Sequence, residues 1–314
     1  MILCVTLNPC LDKTLTVPAW RPGDSVRGTA VHAVVGGKGN NVARALRRLG
    51  RSARPVTFLG GPIGTLCEER LRTDDGLEAI VVRTTAETRV ILTVRTDSSA
   101  DQTAFFDPDP AIAETESEAL FRAVEEALAV GECQALTLSG SSPSPATHGL
   151  YSELIALGRS RRVPVFLDTY GPALEAIWGF WPQAMQLNRR EAGLHLGKPN
   201  PTEDDLMGLL ERWARHGVQC GVVTDGANPA LARVKGTIYR VVPPEISAVN
   251  PIGSGDCLLA GLVDGWISGL APEPLVRRAF GSAVANALVW DAGGIDPDEV
   301  ERQSGSIVVE TIRG

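Results

Sequence analysis

The sequence predicts a three-layer α/β/α fold with a mainly parallel central sheet and a small β-sheet lid. After the Asp107-Pro108-Asp109-Pro110 break, short apolar strands alternate strictly with helical patterns, which calls for a parallel sheet covered on both faces. Before that break, strand-like runs follow one another with no helix between them. They read as a local antiparallel patch, a lid formed by about residues 13–35 and 84–107 of a single 1–314 domain.

The elements follow in order. Met1 to Leu7 is a buried strand, and Leu15 to Val17 and Val31 to Val35 are extended pieces around the turn at Arg21-Pro22-Gly23. Gly36-Gly37-Lys38-Gly39-Asn40-Asn41 opens a helix whose apolar stripe is Val42, Ala45, Leu46 and Leu49, ended by Gly50. Val56 to Leu59 is a strand; Ile80 to Val82, Val90 to Val94 and Thr103 to Phe106 make the antiparallel patch. Leu120, Val124 and Leu128 mark a helix, Ala135 to Leu138 a strand, Tyr151 to Leu157 a helix and Val163 to Leu167 a strand ending at Asp168. Met185 to Leu187 is a strand ending at Asn188; Leu206, Leu209, Leu210 and Trp213 mark a helix, and Val218 to Thr224 a strand. Thr237 to Val242 is a strand, Leu258, Leu259, Leu262, Val263 and Trp266 a helix, and Leu275 to Ala292 the last helix. Polar residues cluster just after the strand ends, where such sheets bind ligands.

With 314 residues, 44% hydrophobic and 21% charged, the chain has ample material for a globular core. Its net charge of −7, with no long basic run, disfavours nonspecific nucleic-acid or anionic-membrane binding. No apolar run approaches membrane-spanning length, and the start reads as a first strand, not a signal peptide. The six cysteines form no CxxC pair and read as reduced residues of a cytoplasmic protein.

Asn250-Pro251-Ile252-Gly253-Ser254-Gly255-Asp256 is a glycine-rich turn opening a helix. Such a turn gathers unpaired backbone N–H groups at the positive end of the helix dipole, an anion site. Asp256 beside that anion is either a helix cap or a base that takes a proton from an attacking hydroxyl. Gly36-Gly37-Lys38-Gly39 is a second such loop and not a Walker A sequence, because no Ser or Thr follows the lysine. It reads equally as a phosphate grip or as a plain turn. Asn188 and Glu191, three apart, suit a magnesium–water cluster or, alternatively, a capping box. Arg27 and Arg89 fall on predicted lid strands; with Lys38 they would neutralise a dianion if they converged. The four histidines show no metal or triad pattern; no GxSxG elbow and no GxGxxG after the first strand are present.

Two glycine loops, NxxE and GSGD, in that order, resemble the PfkB/ribokinase family of sugar kinases over essentially the whole chain. Thr6-Leu7-Asn8-Pro9 with Asp12, GGKG with Asn41, and Ser139-Gly140-Ser141 are similar to its acceptor half. NPIGSGD and the ending around Asn286 and Gly293-Gly294-Ile295-Asp296-Pro297 are most similar to the tagatose-6-phosphate kinase and 1-phosphofructokinase branch. The resemblance implies a ribokinase-like fold and ATP-dependent phosphorylation of a ketohexose monophosphate, with ATP and Mg2+ as cofactors. It implies Asp256 as general base, with Gly253, Ser254 and Gly255 forming the anion hole. It implies Asp12, Gly37, Asn41 and Ser139 on the sugar, and Arg27, Lys38 and Arg89 on the acceptor's phosphate. Asn188 and Glu191 would organise magnesium, Gln186, Thr224 and Gly226 would lie near the ATP phosphates, and Asn286 near the adenine. A homodimer through the lid is a further implication. Gln186 stands where the family has Lys, so a cation near the ATP phosphates is missing. Thr103-Ala104 replaces Thr-Glu, and Cys257 replaces a common Ser. An acceptor without a phosphate, or a binding homologue with weakened catalysis, are the competing readings.

Overall fold

The structure, a computed structural model, describes residues 1–96, 102–177 and 179–313; residues 97–101 of the expected lid lie outside the described residues. The chain begins with β1 (Ile2–Thr6), β2 (Cys10–Val17), β3 (Ala30–Gly36), α1 (Lys38–Arg48) and β4 (Ala53–Gly60). Then come α2 (Gly61–Thr73), β5 (Ile80–Thr84), β6 (Arg89–Thr96), β7 (Gln102–Phe106), α3 (Glu114–Ala129) and β8 (Ala135–Ser139). The middle holds α4 (Leu150–Ser160), β9 (Val165–Asp168), α5 (Pro172–Glu175), β10 (Ala184–Asn188), α6 (Arg189–Leu196), α7 (Glu203–Arg215) and β11 (Cys220–Asp225). The chain closes with β12 (Asn228–Val234), β13 (Thr237–Val242), α8 (Ser254–Ile267), α9 (Pro272–Ala287), α10 (Pro297–Ser306) and β14 (Val308–Arg313).

A ten-stranded sheet runs in the order β14-β13-β12-β11-β10-β9-β8-β1-β4-β5. From β5 to β11 every pairing is parallel, and β12, β13 and β14 extend it antiparallel. Side chains of a strand alternate between faces, and β1 shows the consequence. Ile2 and Cys4 join a core built with α1, α8 and α9, while Leu3 and Val5 join one built with α3, α4 and α7. Both faces are therefore covered, as parallel pairing requires.

Several expectations give way. Ile80 to Val82 is no part of an antiparallel patch: β5 is the parallel edge strand beside β4. The four-stranded sheet has the order β3-β2-β6-β7, and within it β6 runs parallel to β2. Strand order in space is set by which edge is free, and a short apolar run carries no mark of it. The sequence reading passed over α2, whose buried stripe is only Gly64, Cys67 and Leu71 between charged neighbours. Strict alternation ends at β11, because β12 and β13 form a hairpin on it. The helix begun at Leu275 stops at Ala287, and α10 follows it.

The parallel register aligns strand ends. Thr6 pairs with Ser139, Ser139 with Asp168, and Asn188 with Thr224, so these residues share one edge of the sheet. The four-stranded sheet leaves that edge directly, since β2 starts four residues after β1 ends. Arg95 lies over the Trp290 ring and His32 pairs with Asp291 at 2.6 Å, which ties this sheet to the loop after α9.

Candidate active site

Between the strand ends, the four-stranded sheet and α8 lies a cleft of about 850 Å³. Asp256 sits in the first turn of α8, 5% exposed, and lines it. Its Oδ2 accepts a hydrogen bond from Asn41 Nδ2 at 2.8 Å. Burial pushes the Asp256 carboxyl up to about 7, Lys38 draws it back, and Asp168 adds to the rise.

The loop before α8 is held by two asparagines. Asn250 donates to the Trp290 carbonyl at 2.8 Å and accepts from Ile252 N–H at 3.1 Å. Asn286 donates to the Ile252 carbonyl at 2.8 Å and accepts from Gly293 N–H at 2.9 Å. Asn286 is fully buried and is not among the residues lining the cleft, so what it does here is shape the loop. Gly253 has φ +84°, and a Cβ there would meet Ala292 Cβ at 2.5 Å, so glycine alone fits. Ser254 N–H bonds the Pro251 carbonyl at 3.2 Å, so one of the three expected anion-hole donors is shared with the turn.

The other glycine loop packs onto β1. Gly37 has φ +107°, and a Cβ would lie 2.7 Å from Thr6 Cγ2 and 3.1 Å from Pro9 Cα. That close approach aims α1 at the cleft and brings Lys38 and Asn41 to it. Lys38 Nζ bonds Asp168 Oδ1 at 2.9 Å and stands 3.7 Å from Glu191. Burial works against its charge, but Asp168, then Glu191 and Asp256, more than offset this and raise its pKa. Gln186 Nε2 donates to the Gly255 carbonyl at 2.9 Å and approaches the other Asp168 oxygen at 3.4 Å. The ammonium near the position of Gln186 therefore comes from Lys38.

Asn188 and Glu191 form the capping box of α6. Asn188 Oδ1 accepts from Glu191 N–H and Glu191 Oε2 from Asn188 N–H, both at 2.9 Å. Among the described residues no group of three or more His, Cys, Asp and Glu is arranged to hold a metal. Burial raises the Glu191 carboxyl and Lys38 lowers it, with a net rise. Thr224 and Gly226 line the cleft beyond.

At the opposite end, Asn8, Asp12, Arg89 and Ser141 line the cleft. Arg89 Nη1 donates to Asp109 Oδ1 at 2.9 Å and Nη2 to the Asn8 carbonyl at 3.3 Å. Asp109 Oδ1 also accepts from Asn8 Nδ2 at 2.8 Å. Ser139 is fully buried at the end of β8, and Ser141 faces the cleft instead. Arg27 is exposed in the loop between β2 and β3, not on a strand. The three expected cations thus do not converge: Lys38 goes to Asp168, Arg89 to Asp109, and Arg27 to solvent.

Sequence reasoning missed one buried hub. Arg44, 6% exposed, grips both Asp75 oxygens at 2.7 Å and donates to Asn41 Oδ1 at 2.9 Å. It also donates to the Ala292 carbonyl at 2.7 Å and the Val35 carbonyl at 2.9 Å. The only signal was an arginine three residues after Asn41 inside an apolar stripe, which the helical pattern alone assigns to solvent.

A parallel sheet whose strand ends meet a phosphate-type helix terminus, a buried carboxylate and a second sheet is the architecture of a small-molecule kinase. Residues 5–300 match the pfkB family carbohydrate kinase, and the chain belongs to that family of ATP-dependent carbohydrate kinases. A Thermotoga maritima structure described as a "Possible 1-phosphofructokinase" is 26% identical, with a TM-score of 0.89 and 100% of both chains covered. Escherichia coli phosphofructokinase-2 in complex with fructose-6-phosphate is 26% identical, TM-score 0.84, with 97% of this chain and 98% of that one covered. The tetrameric inhibited form of the same Escherichia coli enzyme is 25% identical, TM-score 0.86, at the same coverage.

Proposed function

We propose that this kinase transfers the γ-phosphoryl group of magnesium-bound ATP to a primary hydroxyl of a ketohexose, with Asp256 as general base. The observation that carries the reading is the place of Asp256: buried, held by Asn41 at 2.8 Å, and in the first turn of a helix that opens on the cleft. A carboxyl lifted to about 7 by burial is matched to taking a hydroxyl proton near neutral pH. The acceptor oxygen then attacks in line, and the N–H groups of Gly253 and Gly255 with Lys38 face the charge that develops on the phosphoryl oxygens.

ATP would extend toward Thr224 and Gly226. Magnesium keeps several waters and uses one or two carboxylates plus substrate phosphates. The donor set fits that style of binding: Glu191 Oε2 caps α6 and leaves Oε1 toward Lys38, and the Asn188 side-chain oxygen Oδ1 is taken by the cap. Glu191 and Asn188 would hold the ion through its water shell, where it supplies positive charge to the phosphates.

Asp12, Gly37 and Asn41 would hold the sugar. A ketohexose monophosphate (fructose 1-phosphate, tagatose 6-phosphate or fructose 6-phosphate) is the acceptor the resemblance implies, and the phosphofructokinase neighbours support it. An uncharged ketohexose is favoured by one observation, the ion pair of Arg89 with Asp109. The four-stranded sheet would act as a lid and as a dimer surface. Exposed Val31 and Phe105 (58 and 51% exposed), which share the face turned away from the cleft, support the latter. Six free cysteines fit a reducing cytoplasm.

The test is ATP turnover with magnesium across fructose 1-phosphate, fructose 6-phosphate, tagatose 6-phosphate and the free sugars. No turnover with any of them, in a folded protein, would overturn the reading.

A further inference from the structure

We infer that Asp109 is a specificity-determining residue that pairs with Arg89 and makes the cleft select an uncharged ketose over its monophosphate. The inference rests on the kinase reading above and names the acceptor class of that same site.

The charge inventory comes first. Among the described residues, Lys38 and Arg89 are the only cations lining the cleft, against five lining carboxylates. Lys38 is committed to Asp168 and Glu191 at the phosphoryl-transfer end. Within one chain, a phosphate on the acceptor would therefore have Arg89 as its one cationic partner.

That partner is already engaged from within, by two of its five N–H groups. Both Nη groups of Arg89 are used, one by Asp109 Oδ1 at 2.9 Å and one by the Asn8 carbonyl at 3.3 Å. Asn8 Nδ2, from a residue 4% exposed, holds the same Asp109 oxygen at 2.8 Å. Nor is the carboxylate on a loose segment. Pro108 and Pro110 flank it and restrict the backbone on both sides. Asp107 exchanges two bonds with Val90, its N–H donating to the Val90 carbonyl at 3.1 Å and its Oδ2 accepting from Val90 N–H at 2.8 Å. The turn is thereby docked on the residue next to Arg89. A dianion approaching Arg89 would have to displace a held carboxylate or sit beside it, and like charges at such range disfavour binding.

What the subsite does offer suits hydroxyl groups. Arg89 Nε and Asn8 Oδ1 are buried without a protein partner among the described residues, and both side chains line the cleft. One is a donor and the other an acceptor, which matches an alcohol that both donates and accepts.

The experiment compares fructose with fructose 6-phosphate, and tagatose with tagatose 6-phosphate, in wild type, Asp109→Asn, Asp109→Ser and Asp109→Glu. Binding is measured by calorimetry and turnover by ADP release with magnesium-ATP. The expected result is a wild type that prefers the free sugar. In Asn and Ser variants the phosphate-to-free kcat/KM ratio should rise at least ~10-fold, mainly through a lower KM for the phosphate; the Glu variant should keep the wild-type preference. A wild type that prefers the monophosphate, or neutral variants with the ratio unmoved, overturns the inference and leaves the kinase reading standing. If no acceptor is turned over, the kinase reading fails, and the calorimetric preference still decides the role of Asp109.

Discussion

Asn41 stands between Arg44 and Asp256: its Oδ1 accepts from the guanidinium at 2.9 Å and its Nδ2 donates to the carboxylate at 2.8 Å. A flipped amide would place oxygen against oxygen at Asp256 and N–H against N–H at Arg44. The buried arginine therefore fixes which end of Asn41 meets the proposed base. Asp75 fixes the arginine in turn, through both of its oxygens.

Removing that anchor is expected to act on both fold and rate. Arg44→Met leaves Asp75 half-buried and unpaired, a loss of ~3 kcal/mol for one partner of a buried pair. Arg44→Met combined with Asp75→Asn restores part of the thermal stability but not the rate. We expect kcat to fall at least ~10-fold in the double variant, with KM for ATP little changed. A double variant with wild-type kcat would remove Arg44 from the positioning scheme.

Asp256→Asn is expected to lower kcat by ~10³-fold or more while ATP affinity, measured by calorimetry, stays within a few-fold. Activity within ~10-fold of wild type would mean the proton goes elsewhere.

The pH dependence follows from the same residue. Asp256 must be ionised to accept a proton, and burial lifts its carboxyl to about 7, so kcat should rise with pH through about 7 and then level. The stability consequence has the opposite sense. A carboxyl raised from an unfolded value of about 4 makes the fold lose stability as pH rises between that value and its folded one. Asp256→Asn cannot ionise, so its melting temperature relative to wild type should be higher at pH 8 than at pH 4, by on the order of a few degrees. Equal differences at the two pH values would contradict a carboxyl raised by burial.

Lys38 is the cation whose charge acts on Asp256, and it is joined to Asp168 and Glu191. In Lys38→Met the opposing charge that lowers the Asp256 pKa is gone. The acid limb of kcat should therefore move above its wild-type position, and kcat at pH 7 should fall at least ~10²-fold. A limb that stays in place would show that Lys38 does not act on Asp256.

Phe105→Glu places charge on the face of the four-stranded sheet turned away from the cleft: Phe105 pairs with Leu92, on the face opposite cleft-lining Ile91, and is 51% exposed. If that face joins two copies, sedimentation should show a dimer for wild type and a monomer for the variant. Identical sedimentation of the two proteins would rule the face out.

Much of the layered fold was legible in the chain because burial on both faces of a parallel strand writes a local pattern. The runs at Met1 to Leu7, Ala135 to Leu138 and Val218 to Thr224 carry it, as does the helical stripe ending in Trp213. The two glycine loops were legible for a similar reason, since a backbone at positive φ against a neighbour admits little else at Gly37 and Gly253. Both features are decided by residues close together in sequence.

Partners were not legible in that way. Ile80 to Val82 joined the main sheet because β4 had an open edge, and nothing in those residues names that edge. Asp109 looked like part of a chain break, yet it meets Arg89 twenty residues away and Asn8 a hundred and one away. Lys38 and Asp168 are a hundred and thirty apart, and Asn41 and Asp256 two hundred and fifteen. The sequence alone determined which residues could carry charge and where the backbone must turn. Only the tertiary structure decided which charges neutralise one another, because an ion pair depends on distance in space, and here the packing of α1 and α8 on the sheet sets that distance.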